Sequence, residues 1–531
     1  MISRFIVPVL AALCLPTTGC SEDAAEAGGC TSASDCDDDD PVTIDSCNSS
    51  GICIHEADTT PPGVTSSQVS AVTTDSFQVE WSLDEPSHGQ LAWGLTGDYG
   101  SLTTRESDFL TTHTQSLNGL APGTEYHWRI LGEDQAGNVL TGPDNVTTTE
   151  EPPGVPFSSY GAVGDGTTDD TEAIQAALDA ESRLIADPGA TYLISSQIDV
   201  DQPGDQAVNW NGSTVTANVE VPTAFMIDKR AGGGAVYFED LTVEGNRVIE
   251  FGFWILSVAS MDDVDVQNMY SDDTNALGFR IEINDDPNAF GTYDFDGCDC
   301  SDMESEFDNV LGNSLGASRC LIVRWFTTPP DTKINFSNST FTGAWGDDGD
   351  LVQIEDHVGD IKDTESRLSF TNMVFGDYSR RSIKGTSGGV TFTGCTFIDT
   401  DPSNSRLVSS VPSSGMVVSG AFNGLPNSGA WILDGCTFDG SGGYDGRMIP
   451  SNTDGMIIKN CVFTGGSDIA MTNSIGDVDI CGSTFEVGSS IYDYNESTDT
   501  GLIRIDVDNV HPAGYIQLDV FDYVEQDLPC D

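Results

Sequence analysis

Alternating apolar and polar residues divide the chain into short strand-like runs, and one eight-residue pattern occurs ten times in its last two-thirds. Each copy has two apolar residues at alternate positions, then a turn residue, then a small or apolar residue, as in "VTFTGCTF" (390–397) and "MIIKNCVF" (456–463). The turn residues are Gly212, Asp240, Asn268, Gly297, Asn338, Asn372, Gly394, Gly435, Asn460 and Gly482. Nine of these ten residues are Gly or Asn, which adopt a left-handed backbone most readily. The pattern therefore predicts a strand, a tight bend and a second strand in every copy.

The copies keep their length while the spacing between them varies from 22 to 41 residues. A constant unit with variable insertions is typical of a solenoid, whose coils stack one strand spacing apart, about 4.8 Å. Stacking would align the last residues of six successive copies into a file of rings: Phe341, Phe375, Phe397, Phe438, Phe463 and Phe485. The residue after each turn would form a second file, in which Cys395, Cys436 and Cys461 either fill the core or form disulfides.

An amphipathic helix precedes the copies, in "SSYGAVGDGTTDDTEAIQAALDA" (158–180). Asp169 and Glu172 fit a capping box, and the following apolar residues form a narrow stripe. The segment lacks both the residue order of an EF-hand and the glycine spacing and Lys of a phosphate loop. Because the open end of a solenoid exposes strand edges, we expect the helix to cap that end.

Together with "DPGATYLIS" (187–195), this segment resembles the opening of the pectate-lyase superfamily. The resemblance implies a mainly β fold, a right-handed single-stranded parallel β-helix over residues 157–490 with an N-terminal helical cap. It also implies a carbohydrate-directed protein with a groove along one face, as in polygalacturonases, rhamnogalacturonases, pectate lyases and phage tailspikes. Residues 491–531 fit no copy of the pattern and are expected to form a tail or cap. Cys481 and Cys530 are candidates for a disulfide there.

Residues 59–150 alternate in short runs separated by turn residues, which predicts a β-sandwich. The stretch "LNGLAPGTEYHWRILGEDQAGN" (117–138) resembles the signature of a fibronectin type III domain. The resemblance implies that Tyr126 is the tyrosine-corner residue, that Trp81 is the core tryptophan, and that the domain serves as a spacer. Residues 151–156 are expected to be a linker.

The first 20 residues, "MISRFIVPVLAALCLPTTGC", have the composition of a secretory signal peptide. Their ending resembles a bacterial lipobox with Cys20 as the lipidated residue, although Thr17 stands where Leu is usual. The resemblance implies a secreted protein anchored to the outer membrane or cell surface through a lipid; plain secretion is the alternative.

Residues 21–58 form an acidic linker and a small module containing Cys30, Cys36, Cys47 and Cys53. Such a module buries too little core to fold alone, so two disulfides are expected, with three pairings open. The acidic cluster at 35–40 is either a solvated loop or a Ca²⁺ ligand set, although its spacing is not that of an EF-hand.

The charge balance narrows the classes of partner. The chain has 20 Lys and Arg against 85 Asp and Glu, a formal net charge of −65. Phosphates would be repelled over the whole surface, which excludes nucleic-acid binding. This excess of acidic residues favours an extracellular setting with divalent cations, or a high-salt environment.

Two segments combine acids with the scarce basic residues, "WGDDGDLVQIEDH" (345–357) and "RRSIK" (380–384). Asp347 and Arg381 each lie nine residues after their turns, and Asp350 and Lys384 each lie twelve after. If these coils are in register, an acidic pair lies beside a basic pair on the next coil.

These segments resemble the Gly-Asp-Asp and Arg-Ile-Lys motifs of polygalacturonases. The resemblance implies that Asp347 and Asp348 supply acid and base for inverting hydrolysis, while Arg381 and Lys384, with His357, bind the substrate. His357 stands outside the family's Gly-His-Gly context, and the Asn-Thr-Asp motif is missing, which puts the catalytic assignment in doubt. A surface ladder of salt bridges is the alternative.

Two functions follow as hypotheses. The first is a polysaccharide-degrading enzyme, for which a glycoside hydrolase is preferred over a polysaccharide lyase. The second is a non-catalytic glycan-binding or adhesive surface protein. Ca²⁺ is the one candidate cofactor, and the oligomeric state stays open, with a trimer as in tailspikes among the alternatives. Trp325 and Trp345 are either exposed for stacking on sugar rings or buried.

Overall fold

A computed structural model describes residues 29–272, 275–305, 317–328, 331–346, 348–358, 367–385, 388–401, 403, 415–418, 430–443, 447–450, 455–471, 477–493, 502–518, 523–526 and 528. The chain forms two compact units, Met1–Pro152 and Pro153–Asp531. The predicted signal peptide and Cys20 lie outside the described residues. In the described ranges, no helix is long and apolar enough to cross a membrane.

The first unit begins with a disulfide-bonded hairpin. A short 3-10 helix, Ala33–Asp35, precedes the antiparallel strands Thr43–Cys47 and Cys53–Ala57. Disulfides join Cys30 to Cys47 and Cys36 to Cys53, which confirms two bridges among these four cysteines and selects one pairing of the three.

An antiparallel β-sandwich follows the hairpin. Its strands are Val64–Ser70, Ser76–Gly94, Ser101–Leu102, Leu110–Asn118, Glu125–Asp134, Val139–Thr141 and Asn145–Thr148. The long strand Ser76–Gly94 belongs to both layers, because its first half pairs with Val64–Ser70 and Leu110–Asn118 and its second half with Glu125–Asp134. Trp81 and Tyr126 are buried, and the Tyr126 hydroxyl oxygen accepts a hydrogen bond from the Ala121 backbone N at 2.9 Å.

The second unit is a right-handed parallel β-helix whose strands pair in parallel from coil to coil. Among the described residues, one 24-stranded sheet contains both strands that flank the repeated turn. Its strands are Val155–Pro156, Asp165–Asp169, Arg183–Ile185, Thr191–Ile194, Gln206–Ala217, Val236–Glu244, Ala259–Gln267, Tyr270–Ser271, Thr292–Asp296, Cys300–Ser305, Lys333–Ser337, Thr340–Trp345, Leu368–Thr371, Val374–Tyr378, Val390–Thr393, Thr396–Ile398, Ala430–Asp434, Thr437–Asp439, Gly455–Lys459, Val462–Thr464, Asp477–Cys481, Thr484–Phe485, Ile503–Asp506 and Tyr523–Gln526.

A 12-stranded sheet closes each coil on the remaining side, again counted over the described part of the chain. Its strands are Ile198–Val200, Val221–Ile227, Ile249–Ile255, Ala276–Ile283, Ala317–Trp325, Asp348–Asp356, Arg381–Gly385, Gly415–Val418, Arg447–Pro450, Asp468–Met471, Ile491–Asp493 and Ile516–Gln517. Short 3-10 helices occur at Phe157–Tyr160, Pro287–Ala289 and Gly440–Gly442. The strands Ile503–Asp506 and Tyr523–Gln526 continue the β-helix beyond residue 490, where the sequence pattern ends.

All ten predicted turn residues have a left-handed backbone, with φ between 53° and 70°. One of them, Asn268, does not align with the other nine, contrary to the prediction. Leu241 pairs with Val264, so the residue equivalent to Asp240 is Asp263, at φ 50°. Asn268 instead aligns with Asp302, because Val266 pairs with Cys300, and it belongs to a second bend further along the coil. The two bends share the same signature of apolar residues before a left-handed Asn or Asp, and spacing alone did not separate them.

The predicted file of phenylalanine rings is confirmed. Phe341 pairs with Phe375, and the pairing continues without a break to Phe485. From Phe375 onward the successive ring centroids lie 5.0, 4.9, 4.8 and 4.7 Å apart in stacked geometry. Each ring therefore has an aromatic neighbour on the adjoining coil.

The residues after the turn donate hydrogen bonds from thiol or hydroxyl groups to backbone carbonyls, either on the preceding coil or on their own coil. Cys395 Sγ donates to Phe370 O on the preceding coil at 3.3 Å, while Ser483 Oγ donates to Cys481 O at 3.0 Å. Cys395, Cys436 and Cys461 are buried free thiols, which confirms their prediction as core fillers.

Disulfides elsewhere in the β-helix follow a different pattern. A disulfide that the sequence did not predict joins Cys300 to Cys320, across the two sheets. Cys481 is disulfide-bonded, and its predicted partner Cys530 lies outside the described residues.

The helix Thr171–Ala180 caps the first coils, with Ile174, Ala177 and Leu178 buried. The capping-box prediction is wrong. The N-cap residue is Asp170, and its carboxylate accepts hydrogen bonds from the backbone N of Val163 (2.7 Å) and Gly164 (3.1 Å) rather than from the helix. This carboxylate ties the Gly-rich loop to the helix start.

Candidate functional site

A cluster of charged side chains lies where three neighbouring strands of the 12-stranded sheet begin. The strands are Ala317–Trp325, Asp348–Asp356 and Arg381–Gly385, paired in this order. The cluster, called the charge cluster below, consists of Arg319, Asp348, Asp350, Arg380, Arg381 and Lys384.

Asp348 is surrounded by cations. Its carboxylate lies 2.9 Å from Arg319 Nη2, 2.6 Å from Arg380 Nη1 and 3.4 Å from Lys384 Nζ, and it also pairs with Arg381 Nη2. Burial alone would raise the pKa of Asp348, but the charges of these four cations together lower it far below its usual range. Asp348 is therefore a carboxylate at all physiological pH values.

Asp350 lies beneath the cluster and is fully buried. Its Oδ1 accepts a hydrogen bond from Arg381 Nε at 2.6 Å, and its Oδ2 lies 3.9 Å from Arg319 Nη2. Burial raises the pKa of Asp350 against the opposing effect of Arg381. Asp350 Oδ2 and Arg319 Nε are buried without a hydrogen-bond partner in the described part of the chain.

The cluster carries more cations than carboxylates and is open on one side. Arg319 and Arg381 are almost completely buried, whereas the side chains of Lys384 and Arg380 are 26% and 39% exposed. Burial lowers the pKa of Lys384, and Arg381 and Arg319 add to this against the charges of Asp350 and Asp348. In a chain of net charge −65, the described residues of the charge cluster thus form a local excess of positive charge.

The predicted alignment of the two segments is wrong by three residues. Ala344 pairs with Tyr378, but on the next strands Asp350 pairs with Arg381 and Gln353 with Lys384. Asp350 thus follows Ala344 by six residues, whereas Arg381 follows Tyr378 by three, so the link between the two sheets is three residues longer in the first segment. Because this difference arises between the turn and the strand, counting from the turns misplaced the register. Asp347 lies outside the described residues.

His357 is not part of the charge cluster. It follows the far end of the strand Asp348–Asp356, seven residues beyond Asp350 and therefore about 23 Å from it along the strand. Its Nε2 lies 3.2 Å from Glu355 Oε2, and its ring stacks on Phe326 with centroids 4.5 Å apart.

The predicted alternative, a ladder of salt bridges, is present beside the cluster. Arg324 lies 3.2 Å from Glu282 and 2.8 Å from Glu355, which are its neighbours on the adjoining coils. Arg280 covers the Trp254 ring at 3.8 Å from its centroid. The same sheet therefore carries both a surface ladder and the partly buried charge cluster.

Sequence reasoning missed Arg319 and left two tryptophans open between exposed and buried. Arg319, Asp350 and Arg381 are each 31 residues apart, and this interval also relates Arg324 to Glu355. A search for basic residues 31 residues before an acidic residue would have found Arg319. Trp325 and Trp345 are buried, with 1% and 5% exposure, so neither presents its ring to a ligand.

Groups that could hold a cation occur in the first unit. The ligand atoms of Asp38, Asp45 and His55 converge within 4.8 Å, and His55 Nδ1 lies 2.6 Å from Asp45 Oδ1. Asp35 in the same loop instead accepts backbone hydrogen bonds from Thr31 and Ser32, which lower its pKa to about 2. Ca²⁺ binding by this loop stays a prediction.

A second convergence joins Asp58, Glu85 and Asp134, also within 4.8 Å. Burial raises the pKa of Glu85 to about 6, and the charges of Asp58, Asp134 and Asp84 add to this. The Asp134 carboxylate accepts hydrogen bonds from Asn138 N and Nδ2, both at 2.8 Å. The negative charges of these carboxylates therefore disfavour the ionised form of Glu85.

Comparisons with known proteins give similarity in structure only. No protein-family model matches the chain, and a search of curated proteins gives no match either. The chain is similar to PfbA, a surface adhesin of Streptococcus pneumoniae, at 14% identity and a TM-score of 0.41, covering 70% of this chain and 92% of that chain.

Two further solved structures are similar over long stretches. One is a family 28 exopolygalacturonase of Yersinia enterocolitica, at 11% identity and a TM-score of 0.25, covering 88% of this chain and 98% of that chain. The other is the A-module of the mannuronan C-5 epimerase AlgE6 of Azotobacter vinelandii, at 11% identity and a TM-score of 0.33, covering 70% and 99%. The assignment of the β-helix rests on the strand pairing of the chain itself.

Proposed function

We propose that this protein binds an acidic polysaccharide at the cell surface, through the charge cluster on its β-helix. The observation that carries the proposal is that the described part of the charge cluster holds four cations and two carboxylates at a partly exposed site, in a chain of net charge −65. A uronic-acid carboxylate placed against Lys384 and Arg380 would offset part of this excess of positive charge. A polyanion that approaches the acidic regions of the surface, away from the charge cluster, would be repelled.

The geometry favours binding over hydrolysis. An inverting glycosidase needs one carboxyl group that is protonated near the working pH, so that it can donate to the leaving oxygen. Four cations lower the pKa of Asp348 far below that range, and Asp350 is buried beyond the reach of a substrate. Neither described carboxylate therefore has the properties of a general acid.

Elimination from a uronide is the second candidate, and one observation favours it. This reaction needs a base for the proton next to the uronate carboxylate and cations that stabilise the resulting charge. Burial lowers the pKa of Lys384, which increases its neutral fraction, and the Arg380 and Arg381 guanidiniums lie on the same site. In this role neutral Lys384 would take the proton next to the carboxylate, which the two arginines would hold. The bond between the adjacent ring carbon and the glycosidic oxygen would break as the carbon–carbon double bond forms, and the leaving oxygen would take a proton from water.

Binding can be measured by calorimetry with the full chain. We expect polygalacturonate to bind and a neutral glucan not to bind, with affinity that falls as salt rises. The variants Lys384→Gln and Arg380→Gln should each lower affinity about tenfold, which corresponds to about 1.4 kcal/mol. Lys333→Gln, on the 24-stranded sheet, is the matched control and should bind like wild type.

Two readouts separate binding from the reactions. Release of reducing ends would reveal hydrolysis, and absorbance of unsaturated uronides would reveal elimination. Binding without either product supports the proposal in its first form. Binding with unsaturated product that Lys384→Gln abolishes supports elimination. Equal binding of polygalacturonate by wild type and both cation variants would refute the proposed site.

The proposal includes export and surface attachment. It is supported by the signal-like segment at 1–20, with Cys20 as the lipidated residue, and by the disulfides of the first unit, which persist in oxidising compartments. Cys20→Ser should release the protein from membranes into the soluble secreted fraction. We further propose that residues 59–150 are a fibronectin type III spacer, supported by the hydrogen bond between Tyr126 and Ala121.

A further inference from the structure

The outward side chains of the 12-stranded sheet continue in rows away from the charge cluster. Gln353 pairs with Lys384 of the cluster, and its own strand carries Glu355 and then His357 as the next outward residues. On the preceding coil, Arg324 pairs with Glu355. Phe326 lies two residues after Arg324 on that coil. It is adjacent to His357 on the next coil, because His357 N donates a hydrogen bond to Trp325 O at 2.9 Å. The cluster and the Phe326–His357 pair therefore lie on one continuous face.

Phe326 is unusual on this face because its ring is exposed. Trp325 next to it points into the core and is 1% exposed, whereas Phe326 is 46% exposed. The ring is held in place from one side by stacking on His357, at 4.5 Å and an interplanar angle of 16°. A rigidly held aromatic ring with an exposed surface loses little freedom when an apolar sugar face packs on it.

The spacing of the two features suits one ligand. Phe326 lies four residues along the strand and two strand spacings from Lys384, which gives a separation of about 16 Å. Between them lies Arg324, whose side chain is partly exposed and can donate hydrogen bonds to sugar hydroxyls. A monosaccharide is too short to reach both features, whereas an oligosaccharide laid obliquely across the sheet contacts both.

We propose that Phe326, stacked on His357, binds a sugar ring of the same acidic polysaccharide whose carboxylate binds the charge cluster. This inference rests on the function proposed above and adds a second contact and a direction across the sheet. It predicts that affinity rises with oligomer length until the chain reaches Phe326, and that the gain depends on the ring.

The test uses oligogalacturonates of two lengths, a dimer and an octamer, titrated into the full chain. Phe326→Ala should weaken binding of the octamer about fivefold to tenfold and leave the dimer unchanged. Phe326→Tyr keeps the ring and should bind both oligomers like wild type. Tyr237→Ala removes a ring of similar exposure, 48%, from the 24-stranded sheet and should change neither affinity. Circular dichroism of each variant checks that the fold is retained.

The outcomes separate this inference from the proposed function. If Lys384→Gln weakens both oligomers while Phe326→Ala binds the octamer like wild type, the second contact is refuted and the site at the charge cluster stands. An equal loss for dimer and octamer in Phe326→Ala would also refute a separate contact. If wild type binds neither oligomer, the proposed function fails and this inference fails with it.

Discussion

Replacing Asp350 by Asn is the sharpest test of the charge cluster as a buried ion network. The substitution keeps the shape of the side chain and removes its charge. It leaves the guanidiniums of Arg381 and Arg319, which lie 2.6 Å and 3.9 Å from the Asp350 carboxylate, facing Asp348 as the remaining carboxylate of the cluster. Removing one partner of a buried ion pair costs about 3–5 kcal/mol. Because Asp348 still compensates part of the charge, we expect a loss of about 3 kcal/mol.

The loss should be local, since each coil of a solenoid contacts only its neighbours. Amide hydrogen exchange followed by mass spectrometry resolves this. We expect faster exchange in the strands Ala317–Trp325, Asp348–Asp356 and Arg381–Gly385, and unchanged exchange at Val462–Thr464. Urea unfolding gives the overall change in stability.

Asp477→Asn is the matched control, because Asp477 is 54% exposed and pairs with Arg504 at 3.3 Å. An exposed pair of this kind contributes little, so the control should behave like wild type. Exchange in Asp350→Asn that equals wild type would show that the cluster is not a coupled ion network. Adding Arg381→Leu to Asp350→Asn should recover part of the loss, because it removes one uncompensated buried charge.

Three further predictions test other parts of the chain. Phe463→Ala removes a fully buried ring stacked at 4.8 and 4.7 Å on its neighbours and should cost about 3–5 kcal/mol in urea unfolding; a loss below about 1 kcal/mol would contradict the stacked file. The pKa of Glu85 is raised from 4.5 to about 6, so its stabilising contribution is complete below pH 4.5 and lost as the pH rises through 6. Glu85→Gln should therefore raise the unfolding temperature near neutral pH and leave it unchanged below pH 4.5, and equal effects at both pH values would contradict the cause assigned here. Cys300→Ser opens a disulfide between residues 20 apart and should lower stability by about 3 kcal/mol; Cys320→Ser should produce the same loss, and wild-type stability in both variants would contradict a contribution from this disulfide.

The sequence predicted the features of the fold that repeat. The rings from Phe341 to Phe485 aligned as expected, because equal side chains at equal distances from a left-handed turn must meet on adjacent coils. Asn268 was placed in the wrong file because two bends of the coil present the same local signature, and only strand pairing distinguishes them.

The candidate site was predicted in part. The segments around Asp348 and Arg381 do meet, and their charges do interact. Their register was wrong, and His357 lies far from them, because corner lengths between the strands cannot be counted from the turns. Arg319 enters the site from the preceding coil, at a sequence distance that carries no local motif.

The longer link between Ala344 and Asp350 has a consequence for how the sequence of such a β-helix can vary. The strands beside the left-handed bends pair residue by residue between these coils. The links that lead from them to the 12-stranded sheet differ in length without disturbing this pairing. Three added residues are enough to bring a different set of side chains opposite Arg381. The set of side chains beside Arg381 can therefore be changed by lengthening a single link between strands, while the neighbouring coils keep their pairing.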